Sequence, residues 1–237
     1  MGSVFLLTLR QSAGRLRLLI MAALASLPVL IAFVAVADTR AMSVEEFETF
    51  ALGGMLAGSI MPLVVLAIAT VAFGNEVEDR TLANLTLAPI PRWRIAVPKL
   101  LATASVSGVF IAASAFATSY IAFNHDLVAT FAVTLSAIVG VLLYASVFVW
   151  LGLVTTQAIG FGLAYIVLWE GFFAGFVSGV RYLSISRYAT ALMHGLDARR
   201  FATTDHVSLT VAILTSLIMF GGFIFLTVRR LRRMDVP

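Results

Sequence analysis

Glu170 is the residue whose type and setting could most directly carry chemistry in this chain. It stands in Trp169-Glu170-Gly171, inside a long apolar segment. An ionisable group in a membrane span costs roughly 3 kcal/mol on insertion scales, and usually faces a bundle interior or a watery cavity. Two interpretations follow. Glu170 is either a polar site or proton acceptor in a transport pathway, or a structural glutamate that is hydrogen-bonded to a neighbouring helix or lies near the outer interface.

The other reactive side chains form no catalytic pattern. Neither H-E-x-x-H nor G-x-S-x-G occurs, and the absence of cysteine excludes thiolate metal sites and cysteine nucleophiles. His125, His194 and His206 fall in predicted loops without metal-ligand spacing, and we expect them to be solvated. A P-loop needs lysine within G-x-x-x-x-G-K-[ST], whereas the one lysine, Lys99, lies between Pro98 and Leu100. This chain alone is therefore not a P-loop ATPase, and we expect it to bind neither a cofactor nor a metal.

The composition indicates which elements must hold these residues. Of 237 residues, 61% are hydrophobic and 12% charged, with mean hydropathy +1.03, against about 25% charged in soluble domains. A membrane-spanning helix needs about 20 mostly apolar residues. Six segments qualify, which predicts an all-α polytopic membrane protein: Leu18–Ala37, Leu52–Phe73, Leu100–Phe123, Leu127–Leu151, Ile159–Val180 and Val207–Val228. A tight hairpin at residues 155–157 is expected to divide the fourth span from the fifth.

The basic residues predict how the chain lies across the membrane. With the N-terminus in the cytoplasm, eleven basic residues lie inside and five outside, so the positive-inside rule places both termini inside. The net charge of +4 comes from residues that flank apolar spans, and nucleic-acid binding is not expected. The chain is predicted to form one transmembrane domain over 1–237, with a cytoplasmic loop at 74–99 and an extracytoplasmic loop at 181–206.

The first residues allow two alternatives. Residues 1–17 mix apolar side chains with Arg10, Arg15 and Arg17, which suits a segment lying along the inner membrane surface or an ordinary basic flank. Ala35-Val36-Ala37 resembles a signal-peptide cleavage site, but the preceding apolar stretch is longer than a signal peptide's. We therefore expect an uncleaved first span.

Three glycines after Glu170 predict close helix packing. Gly171, Gly175 and Gly179 recur every four residues on one face. Small residues at this spacing let helices approach closely, so we expect this face to pack against another span or another subunit.

The loop at 74–99 has the features of a short helix held at the membrane surface. Thr81 can cap a helix, and Leu82 and Leu85 share one of its faces, leaving Asn84 and Thr86 elsewhere. Pro89 and Pro91 then end it. Trp93 between two arginines suits the headgroup level, and Lys99 marks the entry to the third span. Such a helix is suited to docking a soluble partner; the alternative is a merely solvated loop.

The loop also resembles a known family. EVEDRTLANLTLAPIPRWRIAVPKL is similar to the segment between the second and third helices of ABC-2 type transporter permeases, which runs E-x-x-x-G-T-L-x-x-L-L-x-x-P-[IV]-[ST]-R with a G-K further on. The sequence departs from the pattern at Arg80, Thr86, Pro91 and Pro98. The matching positions are Glu76, Thr81, Leu82, Leu85, Pro89, Ile90, Arg92 and Lys99. LGLVTTQAIG and LWEGFFAG resemble the hairpin between helices four and five and the outer half of helix five.

The resemblance implies a fold and a set of partners. It implies the six-helix, type V-like exporter fold, with two permease subunits, identical or paralogous, pairing in the lipid with two nucleotide-binding ATPase subunits that hold ATP and Mg. The residues that would form the ATPase-docking coupling helix are Glu76, Asp79, Arg80, Thr81, Leu82, Leu85, Pro89 and Arg92. Arg181 to Tyr188 is similar to the short outer helices of such permeases.

Two further function classes stay open at this point. One is an intramembrane enzyme or proton-coupled carrier centred on Glu170; the other is a membrane assembly factor without a transport cycle. The layout of a small, separate permease predicts a prokaryotic cytoplasmic membrane. Nothing in the sequence selects the cargo.

Overall fold

A computed structural model describes residues 5–9, 14–37, 43–78, 91–173, 184–201 and 207–233. The regular secondary structure within these ranges is helical. Residues 5–9 form a short helical turn, and seven helices follow it. They are α1 (Arg15–Ala37), α2 (44–78), α3 (Trp93–Ala122), α4 (Leu127–Val154), α5 (158–173), α6 (Ile185–Leu196) and α7 (Leu209–Arg233).

Among the described residues, five helices are long and apolar enough to cross a membrane: α1, the Glu45–Phe73 part of α2, α3, α4 and α7. They coincide with five of the six predicted spans. The other predicted span corresponds to α5, and its remainder up to Val180 lies outside the described residues. Thr155 ends α4, and the side-chain oxygen of Thr155 accepts a hydrogen bond from the Gln157 N–H at 3.1 Å. The predicted hairpin at 155–157 is thereby confirmed, and the chain is a helical, multi-pass membrane protein.

The interval 74–99, predicted as a loop, is helical at both ends. α2 continues to Glu78 and α3 begins at Trp93. Glutamate is a good helix former, so α2 continues past the last residue of its apolar run. The ends of the apolar runs therefore do not predict where the helices end. The prediction that residues 81–85 form a helix lies outside the described residues.

α2 and α4 form the centre of the bundle. In their most apolar windows 78% and 61% of residues are buried, against 22% in α1 and 17% in α7. α4 packs against α2, α3, α6 and α7. The apolar surfaces of α1 and α7, with Leu19, Phe33, Leu217 and Ile218 exposed, are therefore left for lipid or another protein to cover.

Two stretches are wound with the wider i→i+5 turn of a π-helix, Glu48–Ile60 in α2 and Tyr165–Phe173 in α5. The N–H of Met61, for example, bonds to the carbonyl of Leu56. Such turns are rare and occur often at functional sites. The second stretch contains Glu170.

The two ends of the bundle are distinguished by their connections. At one end, here called the Arg17 end, lie the start of α1 and the 155–157 hairpin, which line one cavity with Thr70 of α2. At the other, the Asp126 end, residues 123–126 join α3 to α4. Asn124 and His125 adopt left-handed backbone angles (φ 53° and 67°), which asparagine tolerates better than most residues.

Candidate functional site

Glu170 is buried, at 7% exposure, and its carboxylate accepts four hydrogen bonds. Oε1 accepts from the Tyr165 hydroxyl at 3.1 Å and from the Ile185 N–H at 2.9 Å. Oε2 accepts from the hydroxyls of Ser184 and Ser186 at 2.6 and 2.7 Å. An ionised carboxylate has about four acceptor positions, so these donors match its whole capacity.

The donors come from two elements. Tyr165 lies five residues before Glu170 in the wide-turn stretch of α5, and the other three donors form the N-terminus of α6. Ser184 is the N-cap of α6, and its side chain also accepts from the Arg187 N–H. A helix N-terminus presents free N–H groups and a partial positive charge, which stabilise an anion. The geometry thus supports the structural interpretation of Glu170, in which its carboxylate fastens α6 to α5.

Lys99 is buried at 1% exposure, about two turns inside α3. Its ammonium donates a hydrogen bond to the Ala72 carbonyl of α2 and lies 4.3 Å from the centroid of the Phe73 ring. The prediction that Lys99 marks the entry to the third span therefore underestimated its burial. Because α2 and α3 lead into and out of residues 79–90, Lys99 ties together the two helices that carry this segment.

Most of the predicted docking residues lie outside the described residues, namely Asp79, Arg80, Thr81, Leu82, Leu85 and Pro89. The backbone of Glu76 lies in the last turns of α2. Arg92 is half-buried and directly precedes α3, where its carbonyl accepts hydrogen bonds from the N–H groups of Ile95 and Ala96.

A cavity of about 500 Å³ opens at the Arg17 end. Residues of α1, α2, α5 and the 155–157 hairpin line it. The lining is apolar apart from Arg17, Thr70, Thr155 and Thr156. The sequence analysis did not identify this cavity, because its walls come from four separate segments.

A polar cluster closes the Asp126 end. Arg200 forms a 3.0 Å ion pair with Asp126, and its guanidinium lies 4.6 Å from the Phe123 ring centroid. The Asp126 side chain also accepts from the N–H groups of Val128 and Ala129, at 3.0 and 3.4 Å. The pKa of Asp126 is held below its usual value, mainly by the hydrogen bond from the Ala129 N–H. The hydrogen bond from the Val128 N–H and the charge of Arg200 lower it further. The cluster joins the α3–α4 turn to the segment after α6.

Close packing occurs at glycines other than Gly171, including two on α4. A Cβ added to Gly152 would lie 3.4 Å from the Ala69 carbonyl oxygen, and one added to Gly140 would lie 2.6 Å from the Met61 sulfur. Gly171 is exposed, and a Cβ there would meet only the Ile166 carbonyl of its own helix. Within the described residues, no other span packs on Gly171, which leaves another subunit as the predicted neighbour. Gly175 and Gly179 lie outside the described residues.

The histidines differ from one another. His194 is buried at 4% exposure, and its Nδ1 forms a hydrogen bond with the Phe201 carbonyl, so the expectation that it is solvated was wrong. It lies on the inner face of the amphipathic helix α6, which a loop assignment overlooks. His125 is exposed beside Tyr120, and His206 lies outside the described residues. The described part of the chain contains no cluster of three metal-ligating side chains.

The chain matches the model of a known protein family. A family model described as "ABC-2 family transporter protein" matches residues 9–186. The match extends from the N-terminal segment to the first turn of α6 and includes Lys99, the 79–90 segment and Glu170. No curated protein matches the chain.

Proposed function

Since the chain belongs to the ABC-2 family of transporter proteins, we propose that it is the membrane-spanning permease subunit of an ATP-binding cassette exporter. The family match over 9–186 is the observation that carries this proposal. A transporter component of this family is not itself an ATPase, and this sequence has no P-loop lysine. ATP and Mg are then held by a separate nucleotide-binding subunit.

The proposed topology has six spans, with both termini and the Arg17 end in the cytoplasm. In this topology the predicted span Ile159–Val180, of which α5 is the described part, is the fifth of the six crossings. Arg229, Arg230, Arg232 and Arg233 at the end of α7 join the arginines of α1 on the cytoplasmic side, as the positive-inside rule requires. The host membrane in this proposal is the cytoplasmic membrane of a prokaryote.

The ATPase subunit docks on the coupling segment 76–92 in this proposal. Leu82 and Leu85 provide an apolar face, flanked by Glu76, Asp79, Arg80, Thr81, Pro89 and Arg92. The Lys99 contact with Ala72 and Phe73 supports this role. Because α2 leads into the segment and α3 leads out of it, this contact links the two helices that support the segment, and a push on the segment would move α2 and α3 together. ATP-driven closure of the ATPase pair would then shift the bundle between two states.

The assembly contains two permease subunits and two ATPase subunits. The exposed apolar surfaces of the chain leave room for a second permease, and Gly171 lies on one such surface. Export is proposed as the transport direction, by analogy with the family.

Co-purification with the ATPase subunit tests the docking role. We expect Leu82→Asp and Leu85→Asp to abolish association or ATPase coupling while the chain still inserts, because a carboxylate removes the apolar face. Asn84→Asp is the matched control, since it adds the same charge at a position about 200° around the predicted helix from Leu82, and it should retain the complex. A fully coupled complex in both leucine variants would refute the docking role.

A further inference from the structure

The cavity at the Arg17 end is partly open and lies between helices of a membrane-spanning bundle. α1 packs mainly on α3, whereas α5 packs on α2 and α4. α1 and α5 therefore form the two sides of a slot, and α2 forms its floor. The volume of about 500 Å³ lies within the usual range of small-ligand sites, roughly 300–1,000 Å³.

The walls of the slot are hydrocarbon. Leu24 of α1, Leu63 and Leu66 of α2 and Leu163 of α5 line it. A surface of this kind, open to a bilayer, is suited to an acyl chain, because the chain replaces lipid contacts with equally apolar ones at no cost in polar desolvation.

The rim of the slot is polar and positive. Arg17 is exposed in the first turn of α1, and Thr155 and Thr156 lie opposite on the hairpin. Among the described residues that line the cavity there is no carboxylate, so the Arg17 charge is not neutralised there. Basic pockets between membrane helices bind acidic lipid headgroups for this reason.

An apolar slot with one cation and two hydroxyls at its mouth is complementary to an amphiphile with a single negative charge at its head. We propose that the slot between α1 and α5 binds an anionic phospholipid from the leaflet at the Arg17 end, with its phosphate at Arg17 and an acyl chain along Leu24, Leu66 and Leu163. The lipid is a resident component of the folded chain and covers the α2 floor of the slot. This inference does not depend on ATPase docking, and the purified chain is sufficient to test it.

Native mass spectrometry measures lipid binding to the purified chain. The chain is first delipidated and then exposed to phosphatidylglycerol or to phosphatidylcholine with the same acyl chains. We expect one phosphatidylglycerol per chain to survive detergent removal, with roughly fivefold preference over phosphatidylcholine for one basic contact at the membrane surface. Arg17→Gln should abolish the preference. Arg15→Gln is the matched control, because a residue two positions away on a helix points about 200° from Arg17 and is also exposed.

A second pair of variants tests the slot itself. Ala67 of α2 is exposed to the cavity, so Ala67→Trp should fill it and expel both lipids. Ala113→Trp, at an exposed position on α3 outside the lining, should retain phosphatidylglycerol. Unchanged retention in Ala67→Trp, or an unchanged preference in Arg17→Gln, overturns the proposal. So does equal retention of the two lipids by the unmodified chain, or a stable homodimer that excludes lipid from the slot.

Discussion

The hydroxyl of Ser184 donates a 2.6 Å hydrogen bond to Oε2 of Glu170, which joins the N-cap of α6 to the carboxylate of α5. This contact bridges helices whose connecting residues include 174–183, and it gives the buried carboxylate a partner that is itself buried. The N-cap therefore has two tasks, since the same oxygen receives the Arg187 N–H and donates to Glu170. Removing the carboxylate leaves buried hydroxyls and a helix N-terminus without their acceptor.

Substitution of Glu170 should reduce the stability of α6 in a graded way. We expect Glu170→Ala to cost about 1–3 kcal/mol, the penalty for leaving buried donors unsatisfied. Glu170→Gln should cost less, because the serine hydroxyls can rotate to accept from its amide. Thermal unfolding in detergent and hydrogen exchange over residues 184–190 measure both effects.

The exposed Glu45→Gln variant is the control and should behave like the unmodified chain. The carrier hypothesis predicts a different result for Glu170→Gln, namely lost transport with unchanged unfolding and unchanged exchange in α6. That outcome would reject the structural role.

Substitution of Lys99 should weaken the contact between α2 and α3, the two helices that support the coupling segment. Lys99→Met keeps the side-chain length and removes a buried charge, a change that often leaves global stability intact. It also removes the bond to Ala72, and charge-assisted hydrogen bonds contribute about 1.5–3 kcal/mol. Hydrogen exchange in 74–78 and 93–98 should therefore accelerate roughly tenfold or more.

Thr103→Val is the control for Lys99. Thr103 is buried on the same helix, and its hydroxyl bonds to the Lys99 carbonyl within α3, so its loss should leave the α2–α3 contact in place. Equal exchange in Lys99→Met and the unmodified chain would show that this contact does not hold the segment.

Substitution of the closely packed Gly152 should destabilise the chain far more than substitution of the exposed Gly171. Gly152→Leu forces a side chain against the backbone of Ala69 and Thr70, and overpacking of this kind costs about 1–3 kcal/mol or more. Gly171→Leu should leave the thermal stability of the single chain unchanged. If another permease subunit covers Gly171, the latter variant instead weakens permease pairing, which cross-linking or mass photometry detects.

The cluster at the Asp126 end should lose stability only in acid. Because the folded chain lowers the pKa of Asp126, the stabilising contribution is complete above the ordinary aspartate pKa of about 3.9 and is lost as pH falls through the lower folded value. Between about pH 5 and pH 8 the contribution of Asp126 should therefore be constant, so Asp126 should cause no change of the unfolding temperature with pH in that range, and the unfolding temperature should fall only below about pH 4.

Two variants separate the tasks of Asp126. Asp126→Asn keeps a capping side chain and removes the charge facing Arg200, whereas Asp126→Ala removes both. The alanine variant should be the less stable of the two at pH 7. Equal stability of all three chains would mean that neither the cap nor the ion pair contributes.

The sequence was sufficient where long apolar runs decide the structure. Helices α1, α3, α4 and α7 and the 155–157 hairpin follow from the need to satisfy every backbone group within the bilayer. Helix ends were less accurate, as the extension of α2 to Glu78 shows, because hydropathy reports the hydrocarbon boundary and not the last helical hydrogen bond.

The site residues that the sequence missed depend on tertiary contacts. Lys99 looks like an interfacial residue because it follows two arginines and precedes an apolar run, and only its position against Phe73 explains its burial. Arg17 and Thr155 meet across a cavity, although 138 positions separate them in the sequence. By contrast, Asp126 before Leu127 and Ser184 before Ile185 carry recognisable N-cap signals. These could have placed the starts of α4 and α6.

The burial of Lys99 also determines how the folded chain meets amine-specific reagents. Lys99 is the single lysine, and its nitrogen is enclosed between Ala72 and Phe73. An acylating ester applied to the native chain should therefore modify only the α-amino group. Acylation at Lys99 should begin only when α3 separates from α2. The rate of that acylation would therefore measure how often the two helices that support the coupling segment separate, without any added cysteine or lysine.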